Sequence, residues 1–292
     1  MSEGVQPVDL PRSAIGFVFG ALDATALPGP ILVQLMGVLG VAEPTGRQVL
    51  ARKLREGDLE RERVGRISVY RMAGAYLERW LRLRHGDTPL TWDGSFHVVL
   101  HDVPERHRRR REALQSAAAR AGYGQLRPGV LIGLTEPGFA EQLAAAPDWP
   151  TQDAVVETGQ LDVDLPTARR IAARVWRLAD RQHDLRRAAD EVDDLLREVD
   201  GGIAGGTAHG ELAFRQLFRG IMLAAGPRYN VPILPAELLP DDWPSDQVQQ
   251  LLVKVVDRLQ PTVGEYLYGL LRQTPSADLV QGGWWPQTTG RV

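Results

Sequence analysis

Residues 41–72 read VAEPTGRQVLARKLREGDLERERVGRISVYRM. Pro44 and Thr45 predict the start of a helix and Gly57 its end, because proline is tolerated in a first helical turn and glycine just past the last one. On a helical wheel Leu50 and Leu54 share one side with Val49 beside them, while Gln48, Arg52 and Arg55 share the other. Arginine and glutamine make paired hydrogen bonds to guanine and adenine edges in a major groove. By itself such a stripe also describes an ordinary solvated helix face. Two short strands follow, flanking Val64-Gly65, where glycine can take the positive φ of a tight turn. Strand alternation points Arg66, Ser68 and Tyr70 one way and Ile67 and Val69 the other. Arg61, Arg63 and Arg66 then sit near the tip, suited to phosphate contacts. A helix near 44–56 followed by a charged hairpin at 59–72 is the order of a winged helix-turn-helix. Its partner is double-stranded DNA.

Working outward, RSAIGFVFGAL (12–22) predicts a first apolar helix, and PGPILVQLMGVLG a second that Gly40 closes. A helix around 73–85 follows, then the loop HGDTPLTWDG, the best domain boundary. Beyond it the pattern reads strand (FHVVLHDV), helix (PERHRRRREALQSAAARAG), strand (VLIGLT), helix (GFAEQLAAA) and strand (AVVETGQLD). That suits a small ferredoxin-like α+β domain of βαββαβ type. From Pro166 onward helical periodicity dominates, with a flexible break at GGIAGG (201–206). The expectation is an α+β multidomain chain: a winged helix-turn-helix domain at 1–88, a ferredoxin-like middle domain at 89–164, a mostly helical C-terminal domain at 165–274, and a flexible tail at 275–292 that carries Trp284 and Trp285.

Composition narrows the chemistry. The chain has 292 residues, 43% of them hydrophobic, enough for several real cores. It has no cysteine, which excludes disulfides, thiolate metal sites and cysteine nucleophiles. No apolar run is long enough for a membrane helix, so no membrane partner is expected. Glu3 and Asp9 precede Arg12, the wrong charge order for a signal peptide, which points to the cytoplasm. Residues 1–90 carry 12 Lys+Arg against 10 Asp+Glu, whereas 151–292 carry 15 against 20, so positive charge is biased toward the candidate wing. There is no nucleophile elbow, phosphate-cradling glycine loop or HExxH, and neither enzymatic activity nor a cofactor is expected.

Four ordered segments carry a resemblance: RVGRISVYRM (63–72), TWDGSFHVVLHDVPERHRRRREAL (91–114), GYGQLRPGVLIGL (122–134) and LPAELLPDDWPS (234–245). Together they resemble the phenylacetic acid degradation repressors, the PaaX-like regulators. The resemblance implies a cytoplasmic, homodimeric transcriptional repressor that binds operator DNA. Some of its members release that DNA on binding an aryl-CoA thioester. By position Gln48, Arg52 and Lys53 fall on its recognition helix, and Arg63, Arg66 and Tyr70 in its wing. With Arg47 and Arg55 these complete the expected DNA-binding set. Gln48 stands where the family commonly has arginine, which implies a different operator. The segment from 166 is the least faithful part, which leaves the effector open between an acyl-CoA thioester, another small molecule and none; Arg215, Arg219 and Trp176 are the candidate contacts, though Trp176 reads more often as core or domain-interface packing.

Three further features have a plain and a sharper reading. Asp102 ends a strand where the small CRISPR-associated endoribonucleases hold a metal, which gives a metal-dependent nuclease as the alternative function; the plainer reading is that Asp102 caps the next helix. Arg106 and Arg108–Arg111 read as a solvated face or as phosphate contacts. His97 and His101 share a strand face as a packed pair or, with a further ligand, a metal site; no metal is expected.

Overall fold

The stretch quoted first folds, in a computed structural model, as helix α3 (Glu43–Arg55) and a hairpin of β2 (Leu59–Val64) and β3 (Ile67–Met72). The structure describes residues 10–85, 90–134, 155–207, 209–226 and 233–283. Before α3 run α1 (Leu10–Ala21), β1 (Ala24–Pro28) and α2 (Gly29–Val38); after the hairpin comes α4 (Gly74–His85). Val64 still pairs with Ile67, so the turn residues are Gly65 and Arg66, one place later than expected. Gly65 has φ 60°, and glycine of positive φ at the first turn position makes a type II′ turn, whose twist matches the strands it joins.

β1 is a strand that periodicity does not announce. It pairs antiparallel with β3 on one side, Leu27 opposite Tyr70, and with a two-residue strand β8 (Gln281–Gly282) on the other. The sheet order is β2-β3-β1-β8. The tail expected to be flexible from 275 is thus built into this sheet as far as Gly282, after a 3-10 turn at Ala277–Leu279. The Thr25 hydroxyl donates to the Gln281 carbonyl at 3.1 Å, and the Arg71 guanidinium to the Gln281 side chain at 2.6 Å. Trp284 and Trp285 lie outside the described residues.

The chain divides into two compact units. Of the described residues, the first unit gathers 10–85, 186–226 and 245–283; the second gathers 90–185 and 233–244. The expected helical domain at 165–274 is therefore shared between units. Periodicity shows which helical face is apolar but not what that face packs against. In the first unit Ile15, Phe19, Leu22, Ile31, Leu35 and Met36 are fully buried. Helix α8 (Gly210–Ala225) packs along α9 (Ser245–Arg272) and also touches α1, with Phe17 ring-to-ring at 5.0 Å from both Phe214 and Phe218. The long helix α7 (Leu178–Ala204) contributes residues to both units.

The second unit is built on an antiparallel sheet of order β5-β6-β4-β7, from β4 (Ser95–Asp102), β5 (Gly124–Arg127), β6 (Val130–Gly133) and β7 (Val155–Asp162). Helix α5 (Arg108–Arg120) joins β4 to β5, and α6 (Leu165–Val175) follows β7. β5 was not expected; the helix expected at 138–146 lies outside the described residues. Alternation along β4 sorts two cores. Val99 faces Leu114, Ala118, Tyr123 and Leu131 on the α5 side. Phe96 faces Ile132, Ala168, Ala172, Trp176 and Leu238 on the other. Asp164 starts α6 by accepting the Thr167 amide at 2.8 Å, an N-cap whose hydrogen bonds hold its carboxyl below the usual range. Among the described residues no helix is long and apolar enough to cross a membrane.

His101 sits on the α5 side of β4, 7% exposed, and neither ring nitrogen has a hydrogen-bond partner. Burial lowers its pKa first, and the Arg111 charge lowers it further against the opposing pull of Asp102. The folded state therefore prefers the neutral ring. Its stabilising contribution is complete above the ordinary histidine value of about 6.5 and declines as pH falls below that value, because the unfolded chain takes up the proton first. Urea midpoints measured between neutrality and mild acid should fall for the parent protein, and His101→Leu should flatten that fall. An unchanged slope in the variant would assign the acid sensitivity elsewhere.

Candidate nucleic-acid interface

The sequence of α3 sets which side chains can reach out. Gly46, Val49, Leu50 and Lys53 form its buried stripe, and Gly46 admits the Met36 thioether against the helix. Glu43 lies in the first turn and Arg52, Lys53 and Arg55 in the last, each sign where the helix dipole favours it. The opposite stripe leaves Arg47, Gln48 and Arg55 exposed and Arg52 half-buried. Arg47 is held by Glu43 through two hydrogen bonds of 2.6 and 3.0 Å, and Arg52 lies 3.9 Å from Glu56. These ties are exposed, so water competes with them and each is worth little to the fold.

The hairpin tip adds Arg61, Arg63 and Arg66, all exposed and without an ion pair among the described residues. By contrast Arg71, one strand position from Tyr70, is taken up by Glu62 at 3.0 Å. Glu60 and Glu62 alternate with the arginines along β2, so positive charge concentrates at the turn rather than along the whole strand.

Two expected contacts point elsewhere. Lys53 is 5% exposed; its ammonium bonds the Asp58 carboxylate, lies 3.2 Å from Glu56 and sits 5.0 Å from the centre of the Tyr76 ring. A lysine so paired binds α3 to the start of β2 and offers no charge to a partner. Tyr70 is half-buried, its ring edge lying over Gly29, where a side chain's first carbon would come within 3.1 Å. It braces the hairpin against the start of α2.

The candidate effector contacts are also occupied. Arg215 donates to the Val38 carbonyl at 2.7 Å and to Glu211 at 3.1 Å, and Arg219 pairs with Glu198 at 3.1 Å, all within the first unit. Trp176 is core in the second unit, packed near Phe96 and donating to the Gly122 carbonyl at 3.2 Å. Arg215 and Arg219 belong to the first unit and Trp176 to the second. Asp102 does not cap the following turn, where Pro104 stands at the cap position without a side-chain hydrogen bond. Of the arginine run, Arg108 pairs with Glu112 and Arg111 with Glu105, as on a solvated face. Among the described residues no three metal-ligating side chains cluster, His97 and His101 included.

A family model for the PaaX protein central Cas2-like domain matches residues 89–142. Over those residues the chain is similar to the PaaX central domain. That match covers β4, α5, β5 and β6 and two of the four segments that carried the resemblance. Among solved structures the chain is similar to the uncharacterized protein Rv0674 from Mycobacterium tuberculosis, at 23% identity, covering 86% of this chain and 96% of that one, with a TM-score of 0.47. No curated protein matches it.

Proposed function

We propose that this PaaX-like chain is a DNA-binding transcriptional regulator, an effector-responsive repressor that acts as a cytoplasmic homodimer. The observation that carries the reading is the outward stripe of α3, Gln48, Arg52 and Arg55, set beside a hairpin tip whose Arg61, Arg63 and Arg66 have no acidic partner among the described residues. A helix followed by such a hairpin supports a winged helix-turn-helix at 1–88, with α3 in the major groove and the tip on phosphates. The strand order β5-β6-β4-β7 supports a ferredoxin-like middle domain. Nothing in the site geometry favours the nuclease alternative. Two-fold symmetry gives an operator that is an approximate inverted repeat. An effector that prefers the DNA-incompetent state lowers DNA affinity by its differential affinity for the two states.

The test is fluorescence anisotropy against the DNA upstream of the gene, across a salt series. Affinity should fall steeply with salt, and Arg66→Ala should weaken binding to all sequences alike while reducing the log–log salt slope by about 1, as for one lost phosphate contact. Gln48→Ala, by contrast, should relax sequence preference at one operator position. Salt-independent binding that ignores both substitutions rejects the proposal.

A further inference from the structure

Among the described residues the sheet of the second unit is incompletely covered on the face that carries Phe96. Along that face Val98, Leu100, Leu126, Val130, Ile132 and Leu161 wall a cavity of about 590 Å³, and Leu100 is left 49% exposed. Its size falls within the range of about 300–1,000 Å³ typical of small-molecule sites. Two guanidinium groups, Arg127 and Arg174, border it, both exposed and neither with a hydrogen bond or ion pair among the described residues. Among the described residues no acidic side chain lines the cavity. At Gly159, on β7, a side-chain carbon would meet nothing within 4 Å, so the space is open there.

Apolar walls under two unpartnered cations define a ligand with one anionic end and an apolar body. We propose that this cavity binds a small amphipathic carboxylate, its aliphatic body against Val98, Val130 and Leu161 and its carboxylate on Arg127 and Arg174. A wholly apolar ligand leaves both cations without a counter-charge. A second copy of the chain would have to bring carboxylates onto both arginines, and the nearest on this face, Glu157 opposite Leu100, is a single one on β7. Arg215 and Arg219 are not among its lining residues. Only the role of this anion as an effector rests on the regulatory function proposed above; its binding does not.

Octanoate is the probe, titrated calorimetrically into the full chain beside octan-1-ol and octylammonium. Octanoate binds at one site per chain, the alcohol at least tenfold more weakly, and the amine not at all. Arg127→Gln and Arg174→Gln each weaken octanoate about tenfold, and Gly159→Leu, which fills open space without a clash, abolishes binding while the melting temperature holds. Equal binding of acid and alcohol, indifference to Gly159→Leu, or no octanoate binding at all overturns the proposal. So does a change of self-association in Gly159→Leu without octanoate binding, which would assign the face to a second copy. Anisotropy separates the two readings: octanoate bound by a protein that binds no DNA keeps the site and removes the regulator, whereas DNA bound by a protein blind to octanoate does the reverse.

Discussion

Asp58→Ala should lower stability by about 3 kcal/mol, at the lower end of the cost of breaking a buried ion pair from one side. The reason lies in what remains. Lys53 keeps its buried ammonium 5.0 Å from the Tyr76 ring centre with Glu56 as its remaining carboxylate, 3.2 Å away and itself partly solvated. The same aspartate organises the backbone: its amide donates to the Lys53 carbonyl at 3.0 Å and its carbonyl accepts from Ala73, also at 3.0 Å, so the hairpin's two ends close on one residue. Removing the ammonium too, in Lys53→Met with Asp58→Ala, should recover most of the loss, since two apolar groups of similar volume often replace a buried pair at little cost. Urea denaturation of the parent, the single and the double variant measures this. A single variant within about 0.5 kcal/mol of the parent, the scatter of ordinary surface changes, would show that the pair does not hold α3 against the hairpin.

Phe214→Ala should cost about 4 kcal/mol, as large-to-small substitutions of fully buried aromatics do. Phe214 has no exposure and lies between Phe17 at 5.0 Å and Tyr266 at 6.0 Å, tilted against both. Tilted ring pairs add attraction beyond the area they bury. The three rings belong to α8, α1 and α9, so the cavity left behind loosens a junction of chain segments far apart in sequence. Hydrogen exchange should report the loss in α1 and α8 together. Faster exchange confined to α8 would show that α1 is held by other contacts.

The elements with strong local signals were legible in the sequence. For α3 the leucine spacing and Pro44 mark the helix, and for the hairpin Gly65 fixes the turn to within one residue. Strands β1, β5 and β8 were not legible, for a physical reason. At five, four and two residues they are too short to show alternation, and β1 and β8 pair only with sequence-distant partners. Lys53 shows the same limit within the candidate site. A helical wheel places it beside Arg52, but Asp58, five residues on and beyond the helix, draws it inward. Arg215 and Arg219 were close enough in sequence to suggest a site, yet each finds its partner on another segment, Val38 and Glu198. Of the expected DNA-binding set the structure leaves Arg47, Gln48, Arg55, Arg63 and Arg66 exposed and Arg52 half-buried.

The two-residue strand β8 has a consequence for how this protein is made. A ribosome delivers the first 72 residues, and with them three strands of the sheet, more than two hundred residues before Gln281 emerges. Until then the outer edge of β1 presents unpaired amides and carbonyls to whatever else is nearby, and an uncovered edge is a template for pairing with a neighbouring chain. The nascent head is therefore open to misassociation from the completion of β3 until synthesis has passed Gly282, when its sheet closes.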